Sequence, residues 1–200
     1  MQTNIDNIRA IYQLATGTEK VNGSSWYSIA HCVALDLADR YEVTECQAIG
    51  VIAALSPRNK WERNVQDAEA LIAAFVSAGP SQAILTKVCT FTTNKAKAIR
   101  ILQTVDPTAD EVRDLLSGPK LKEFFSCILG HRDEVCIDGH AYCIWAGQRT
   151  GLKDVPAIGV KLRRQIKADY VAAAKDLNIP PATLQAVTWV TWRRIHGVTK

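Results

Sequence analysis

The stretch TECQAIGVIAALSPRNKWERN, Thr44 to Asn64, decides the fold class. Thr44 and Gln47 have the spacing of a capping box, in which a hydroxyl and an amide side chain each satisfy a backbone group at a helix start. The apolar run Ala48 to Leu55 follows, and Ser56-Pro57 stops it, because a proline pushes the residue before it out of the helical region. Beyond the polar turn, the segment from Lys60 to Val76 sets Trp61, Val65, Ala68, Leu71, Ile72 and Phe75 on one face at the 3.6-residue period. Gly79-Pro80 terminates that segment.

The same period recurs on both sides. Ile5, Ile8, Ile11, Tyr12 and Ala15 form a stripe that ends near Gly17. Ser24 or Ser25 is the expected cap of the next helix, which carries Tyr27, Ala30, Val33, Ala34, Leu37 and Ala38. Further helices are predicted at 81–86, 94–104, 108–116, 119–129, 138–149, 160–177 and 181–195, the last favoured by Pro180-Pro181 at its start. Strict alternation is scarce, and Val135-Cys136-Ile137 is too short to make a sheet. The reading is an all-α chain of about nine to eleven helices, with no internal repeat, low-complexity tract or linker. Residues 1–200 are expected to form a single domain. Its chain can leave one helical bundle and return to it, giving lobes at 45–130 and at 1–44 plus 131–200.

The 200 residues are 48% hydrophobic and 22% charged, with a net charge of +4. That balance excludes intrinsic disorder, since enough surface can be buried to offset chain entropy. No apolar run approaches the ~20 residues of a bilayer span, and Met1 to Ala10 lacks the basic-then-apolar pattern of a secretion signal. A cytoplasmic monomer without a membrane partner is the expectation. Six cysteines, at 32, 46, 89, 127, 136 and 143, form no CxxC pair and read as buried thiols, although an even number also permits disulfides. The charge is unevenly spread. Lys87, Lys95, Lys97 and Arg100 occur between Glu69 and Asp106 with no acid, and residues 161–200 hold eight basic residues against Asp169 and Asp176. A polyanion partner and a solvated basic face both fit such runs.

Asp138 lies in VCIDGH, where an acid follows three apolar residues and opens a helical pattern. On its own this reads as an N-cap. The histidines at 31, 131, 140 and 196 have no paired ligand spacing, so neither a metal nor a cofactor is expected. Gln185, Trp189 and Arg193 repeat at i, i+4 and i+8 and give the last helix one polar-aromatic face, which either lines a pocket or closes the bundle. Trp61, just after the polar turn, is the aromatic best placed for stacking rather than core packing.

Four segments in order then carry a family resemblance: AALSPRNKWERN (53–64), TNKAKAIRIL (93–102), LLSGPKLKEFFSCI (115–128) and VCIDGH (135–140). This succession, over about residues 45 to 150, resembles the helix-hairpin-helix DNA glycosylase superfamily, the endonuclease III and adenine-glycosylase group. The wider pattern is also similar to phage-encoded proteins. The resemblance implies a two-lobed helical fold that flips a base out of double-stranded DNA, with the hairpin in the 45–130 lobe. Leu55, Ser56, Arg58, Asn59, Asn64 and Ala68 match the segment that wedges into the DNA stack. Asn94, Lys95, Ala96 and Ile99 match a second family helix, and Ile137, Asp138, Gly139 and His140 match the segment that holds the essential aspartate. Asp138 is then the catalytic carboxylate, stabilising the cationic sugar or activating the nucleophile. Lys120, eighteen residues earlier, has the spacing of the family's Schiff-base lysine, with Lys122 a second candidate. The expected DNA or substrate contacts are Arg58, Asn59, Trp61, Asn64, Asn94, Lys95, Lys122, His140, Gln185, Trp189 and Arg193. Arg163, Arg164, Lys167 and Arg194 are further phosphate ligands on this reading.

Two departures stand out. The turn Leu116-Ser-Gly-Pro-Lys120 lacks the second glycine of the family's Leu-Pro-Gly-Val-Gly hairpin, and no cysteine follows Cys143, so the family's iron-sulfur cluster is absent. The activity implied is hydrolysis of the N-glycosidic bond of a damaged or modified base. A phage base-hypermodification transferase on the same fold and a catalytically inactive DNA-binding or inhibitory protein are the alternatives, since fold does not fix reaction.

Overall fold

Local capping sets most helix boundaries in the computed structural model, which describes residues 3–151 and 153–198. Among them are ten α-helices and no strand: α1 (Asn4–Gln13), α2 (Gly17–Tyr41), α3 (Glu45–Leu55), α4 (Trp61–Leu85), α5 (Thr92–Gln103), α6 (Ala109–Leu115), α7 (Pro119–Ile128), α8 (Gly139–Ala146), α9 (Val160–Asp176) and α10 (Pro181–Ile195). The chain is therefore all-α. Thr3 with Asp6, Thr44 with Gln47 and Thr108 with Glu111 each make both bonds of a capping box.

The start of α2 differs from the expected Ser24 or Ser25. The Thr16 amide donates to Glu19 Oε2 at 2.8 Å and the Glu19 amide to Thr16 Oγ1 at 3.2 Å, so the helix begins eight residues earlier than the serines imply. Ser25 instead bonds back to the Val21 carbonyl inside the helix. The stop expected at Gly79-Pro80 is a kink. Gly79 sits at φ 75°, which a glycine tolerates, and Pro80 opens a second helical piece within α4.

The chain divides into two compact units, one of Met1–Ser28 with Gly130–Lys200 and one of Ile29–Leu129. The first division falls inside the continuous helix α2, and not at the turn before α3 where the sequence reading drew it. In the Ile29–Leu129 unit, α3 is the centre. Every residue from Gln47 to Leu55 is buried, and α4, α5, α6 and α7 pack around it. A helix without a solvent face needs neighbours on all sides. Gly50 permits the closest approach, for a Cβ there would lie 2.5 Å from Val112 Cγ1 and 3.2 Å from Ile101. Helix α4 is long and apolar enough to cross a membrane by length and composition, yet Ala68, Leu71 and Ile72 on it are buried within this unit.

In the other unit α1, α8, α9 and α10 pack on one another around Ile8, Ile137, Ile144, Ile166, Tyr170 and Leu184. The first half of α2 joins them through Gly23, where a Cβ would come within 2.5 Å of the Val187 Cα on α10. The cysteines depart from the expectation of burial: Cys127, Cys136 and Cys143 are buried, Cys46 is half-buried, and Cys32 and Cys89 are exposed, because α2 and the α4–α5 connection turn those positions outward. All six are free thiols.

Gly23→Ala is expected to destabilise the protein by about 1–3 kcal/mol, because backbone rather than a side-chain tip must yield. Gly17→Ala, whose added Cβ meets nothing within 4 Å, is the control and is expected to be neutral or slightly stabilising. Urea denaturation of the two variants beside the wild type measures both.

Candidate active site at the start of helix α8

Asp138 is delivered by a buried extended segment, Val135 to Ile137, whose apolar side chains anchor it in the core of its unit. With φ −110° and ψ −172°, Asp138 is the N-cap of α8, and its Oδ1 accepts the Ala141 amide at 2.8 Å. The cap reading of the sequence therefore holds. The residue remains half-buried.

Helix α9 runs beside this segment. Arg163 Nη1 donates to the Ile137 carbonyl at 3.1 Å, Lys167 pairs with Glu134, and Tyr170 lies in the same core cluster as Ile137 and Ala141. The three α9 residues stand at i, i+4 and i+7, one face of the helix. Tyr170 is fully buried. Burial drives its phenol well above the ordinary tyrosine range, the Thr188 hydroxyl draws it partly back, and the Asp138 carboxylate raises it further. On the far side, the His196 ring lies 4.0 Å from that of Trp192. Burial lowers its pKa, with the charges of Arg149 and His140 adding to the effect. His140 itself is half-buried in the first turn of α8.

The polar-aromatic face expected on α10 is real and turns towards the first half of α2. Tyr27 donates its hydroxyl to Gln185 Oε1 at 2.6 Å, Trp26 meets Trp189 edge-on at 6.0 Å, and Arg193 lies 4.4 Å over the Trp189 ring. Gln185 is buried, while Trp26, Tyr27, Trp189 and Arg193 are half-buried. Asp138, His140, Gln185, Trp189 and Arg193 thus belong to one unit.

The remaining sequence-predicted residues belong to the other. Arg58 is exposed at φ 59° with its guanidinium 4.7 Å over Phe91, and Trp61 is half-buried at the first position of α4. Their neighbours turn inward. Asn64 is only 1% exposed and donates to the Ile52 carbonyl at 3.0 Å, and Asn59 donates to Asp67 Oδ2 at 3.0 Å. Asp67 is buried and also accepts from Arg63 at 2.7 Å and the Cys89 amide at 2.6 Å. Asn94 is buried as well and accepts from Lys97 at 3.1 Å. Lys95 caps the end of α4, donating to the Thr86 carbonyl at 2.5 Å and to that of Ile84. Asn64 and Lys95 answer the hydrogen-bond demand of helix ends, which competes with the DNA contact expected of them. Between α6 and α7, Gly118 takes φ 81° and makes a tight helix–turn–helix, with Lys120 half-buried and Lys122 3.4 Å from Asp114.

The C-terminal basic arm is also partly used inside the fold. Arg194 pairs with the buried Glu19 at 2.6 Å and donates to the Leu14 carbonyl at 3.0 Å, tying α10 to the α1–α2 turn. With Arg163 and Lys167 also engaged, three of the expected phosphate ligands bond to protein; Arg164 is exposed. Sequence reasoning missed Glu19, Asp67, Arg149, Tyr170 and His196. Only Glu19 left a local signal, its capping-box spacing from Thr16.

The chain belongs to a family described as a family of unknown function (DUF7178), whose model matches residues 1–196. No curated protein and no solved structure matches it.

The Arg194 hydrogen bond, more than the Thr16 amide, holds the Glu19 carboxyl below its ordinary value of 4.5 against the opposing effect of burial. A depressed folded-state pKa contributes stability that is full above the unfolded value and is lost as pH falls through the folded one. Glu19→Gln is therefore expected to cost about 1–2 kcal/mol at pH 7. The gap from wild type should close as pH falls below 4.5. Chemical denaturation across that range measures the closure.

Proposed function

We propose that the chain acts on a base in DNA as a glycosylase-like hydrolase with Asp138 as its essential carboxylate. The observation that carries this reading is the double position of Asp138: it caps α8 through the Ala141 amide, and the residue remains only half-buried. A cap fixes the side chain's direction, and a carboxylate held in a fixed direction is what a developing positive charge requires. The short α6–α7 turn that precedes it, with Lys120 and Lys122 in the first turn of α7, supports the same reading, as does the order of the four segments.

In the hydrolysis, Asp138 takes a proton from a water whose oxygen bonds to the anomeric carbon. The carbon–nitrogen bond breaks, its electron pair leaves with the base, and the base takes a proton from solvent. Lys120, if its neutral amine attacks instead, bonds to the anomeric carbon as the base leaves with the glycosidic electron pair and takes up the proton the nitrogen loses, and water later hydrolyses the resulting Schiff base. In the unit of Asp138, the Trp189–Arg193 pair supplies a flat, cationic surface suited to bases and phosphates; in the other unit, Arg58 and Trp61 offer the same chemistry.

Duplex oligonucleotides carrying damaged or hypermodified bases, treated with protein and then alkali, test the proposal. Wild type should produce strand breaks at abasic sites, and Asp138→Asn should reduce them by ~100-fold or more. Asparagine caps a helix about as well as aspartate, so the variant should melt with the wild type. Equal activity in Asp138→Asn, or a change in base mass without release, rejects the reading. Borohydride trapping that disappears in Lys120→Ala assigns the lysine its covalent role.

A further inference from the structure

We propose that Arg163 is a positioning residue for Asp138, fixing the peptide plane from which that residue projects. Its Nη1 donates to the Ile137 carbonyl at 3.1 Å, and this carbonyl belongs to the planar unit that ends at the Asp138 Cα. Fixing the oxygen of a peptide plane fixes the rotation of the plane, and with it the direction in which the next residue sets off. Asp138 needs that control. Its cap conformation, φ −110° and ψ −172°, lies outside the helix it opens, so helical hydrogen bonding does not enforce it.

The extended segment before Asp138 is held by α9 at both ends. Arg163 stands at the near end. At the far end Lys167, one turn further along α9, pairs with Glu134, whose Oε1 also accepts the Val135 amide at 2.9 Å. Between these ends Val135 and Ile137 are fully buried, and they share a cluster with Ile166 and Tyr170 of α9. The donor is anchored as well, since the Arg163 amide bonds to the Gly159 carbonyl at 2.9 Å in the first turn of α9. A guanidinium is planar and permanently charged, and a bond from a charged donor is shorter and stronger than one between neutral groups. Arg163 thus directs a donor at the backbone beside the carboxylate, whereas its neighbour Arg164 is exposed.

The placement of Asp138 is a property of the folded chain; only the effect on base release rests on the glycosylase-like reading, and the two are measured separately. Amide hydrogen exchange followed by NMR reads the placement, because Asp138 Oδ1 accepts the Ala141 amide. Asp138→Ala sets the exchange rate of the lost cap. Arg163→Met, which removes the donor and keeps an unbranched stem, should speed exchange at Ala141 by about tenfold or more, as loss of a hydrogen bond to a charged group implies. Lys167→Met loosens the other end of the segment and should leave Ala141 within about threefold of the wild type. Arg163→Gln is the second variant, with the same expectation, should Arg163→Met not fold. Equal acceleration by the Arg163 and Lys167 variants, or none in the Arg163 variant, overturns the inference. On duplex DNA from which the wild type releases a base, Arg163→Met should lower kcat about tenfold or more and leave KM within about twofold. A raised KM with unchanged kcat makes Arg163 a phosphate ligand instead and also overturns the inference. Failure of the wild type to release any base rejects the reaction alone, and the exchange rates still decide the placement.

Discussion

A helix buried on every side must have its backbone ends satisfied from within the protein, and α3 imposes that demand on the chain around it. Its last turn has no water to receive the carbonyls of Ile52, Ala53 and Leu55. Asn64 serves the first and the Ser56 hydroxyl the second, while Asn59 reaches towards Leu55 at 3.5 Å and bonds more closely to Asp67. The polar turn between α3 and α4 is therefore built inward first. What it leaves for the surface is Arg58, strained into a left-handed conformation and resting on Phe91, and one edge of Trp61. A residue that closes a helix end cannot also reach a phosphate without exposing that end, so surface chemistry in this unit falls to few side chains.

The other unit solves the opposite problem, a helix start that remains partly open. Asp138 stabilises the first turn of α8 and keeps its direction because Val135, Cys136 and Ile137 are buried immediately before it. The residue lies in the same unit as the enclosed Tyr170 and as His140 and His196. Capping and reactivity do not compete here, since one oxygen suffices for the cap. That division of labour is the physical basis for giving Asp138 a chemical role beyond its structural one.

Helix identity was legible from residue order because caps and apolar periods are local. Thr44 with Gln47 and the cap at Asp138 are each decided within a few positions, whereas the stop expected at Gly79-Pro80 is a kink within one helix. The start of α2 escaped because Gly17 looks like a terminator, whereas Thr16 and Glu19 make it the first residue of a 25-residue helix. Charge was legible as a count and not as a disposition. The partner of Arg194 lies 175 positions away at Glu19, and Lys95 bonds to carbonyls of the preceding helix. No sequence pattern announces Tyr170 either, for its enclosure arises from α9 packing with α8 and α10. The polar-aromatic face of α10 was visible as a period, while its contact with Trp26 and Tyr27 required the fold.

The central claim is that Asp138 breaks the bond between a base and its sugar. The most direct measurement is mass spectrometry of the small molecules freed when the protein is incubated with duplex DNA of modified composition. A free nucleobase appearing in step with abasic sites is the predicted result. DNA that is bound yet returns no free base, or that gains mass at the base, contradicts the claim.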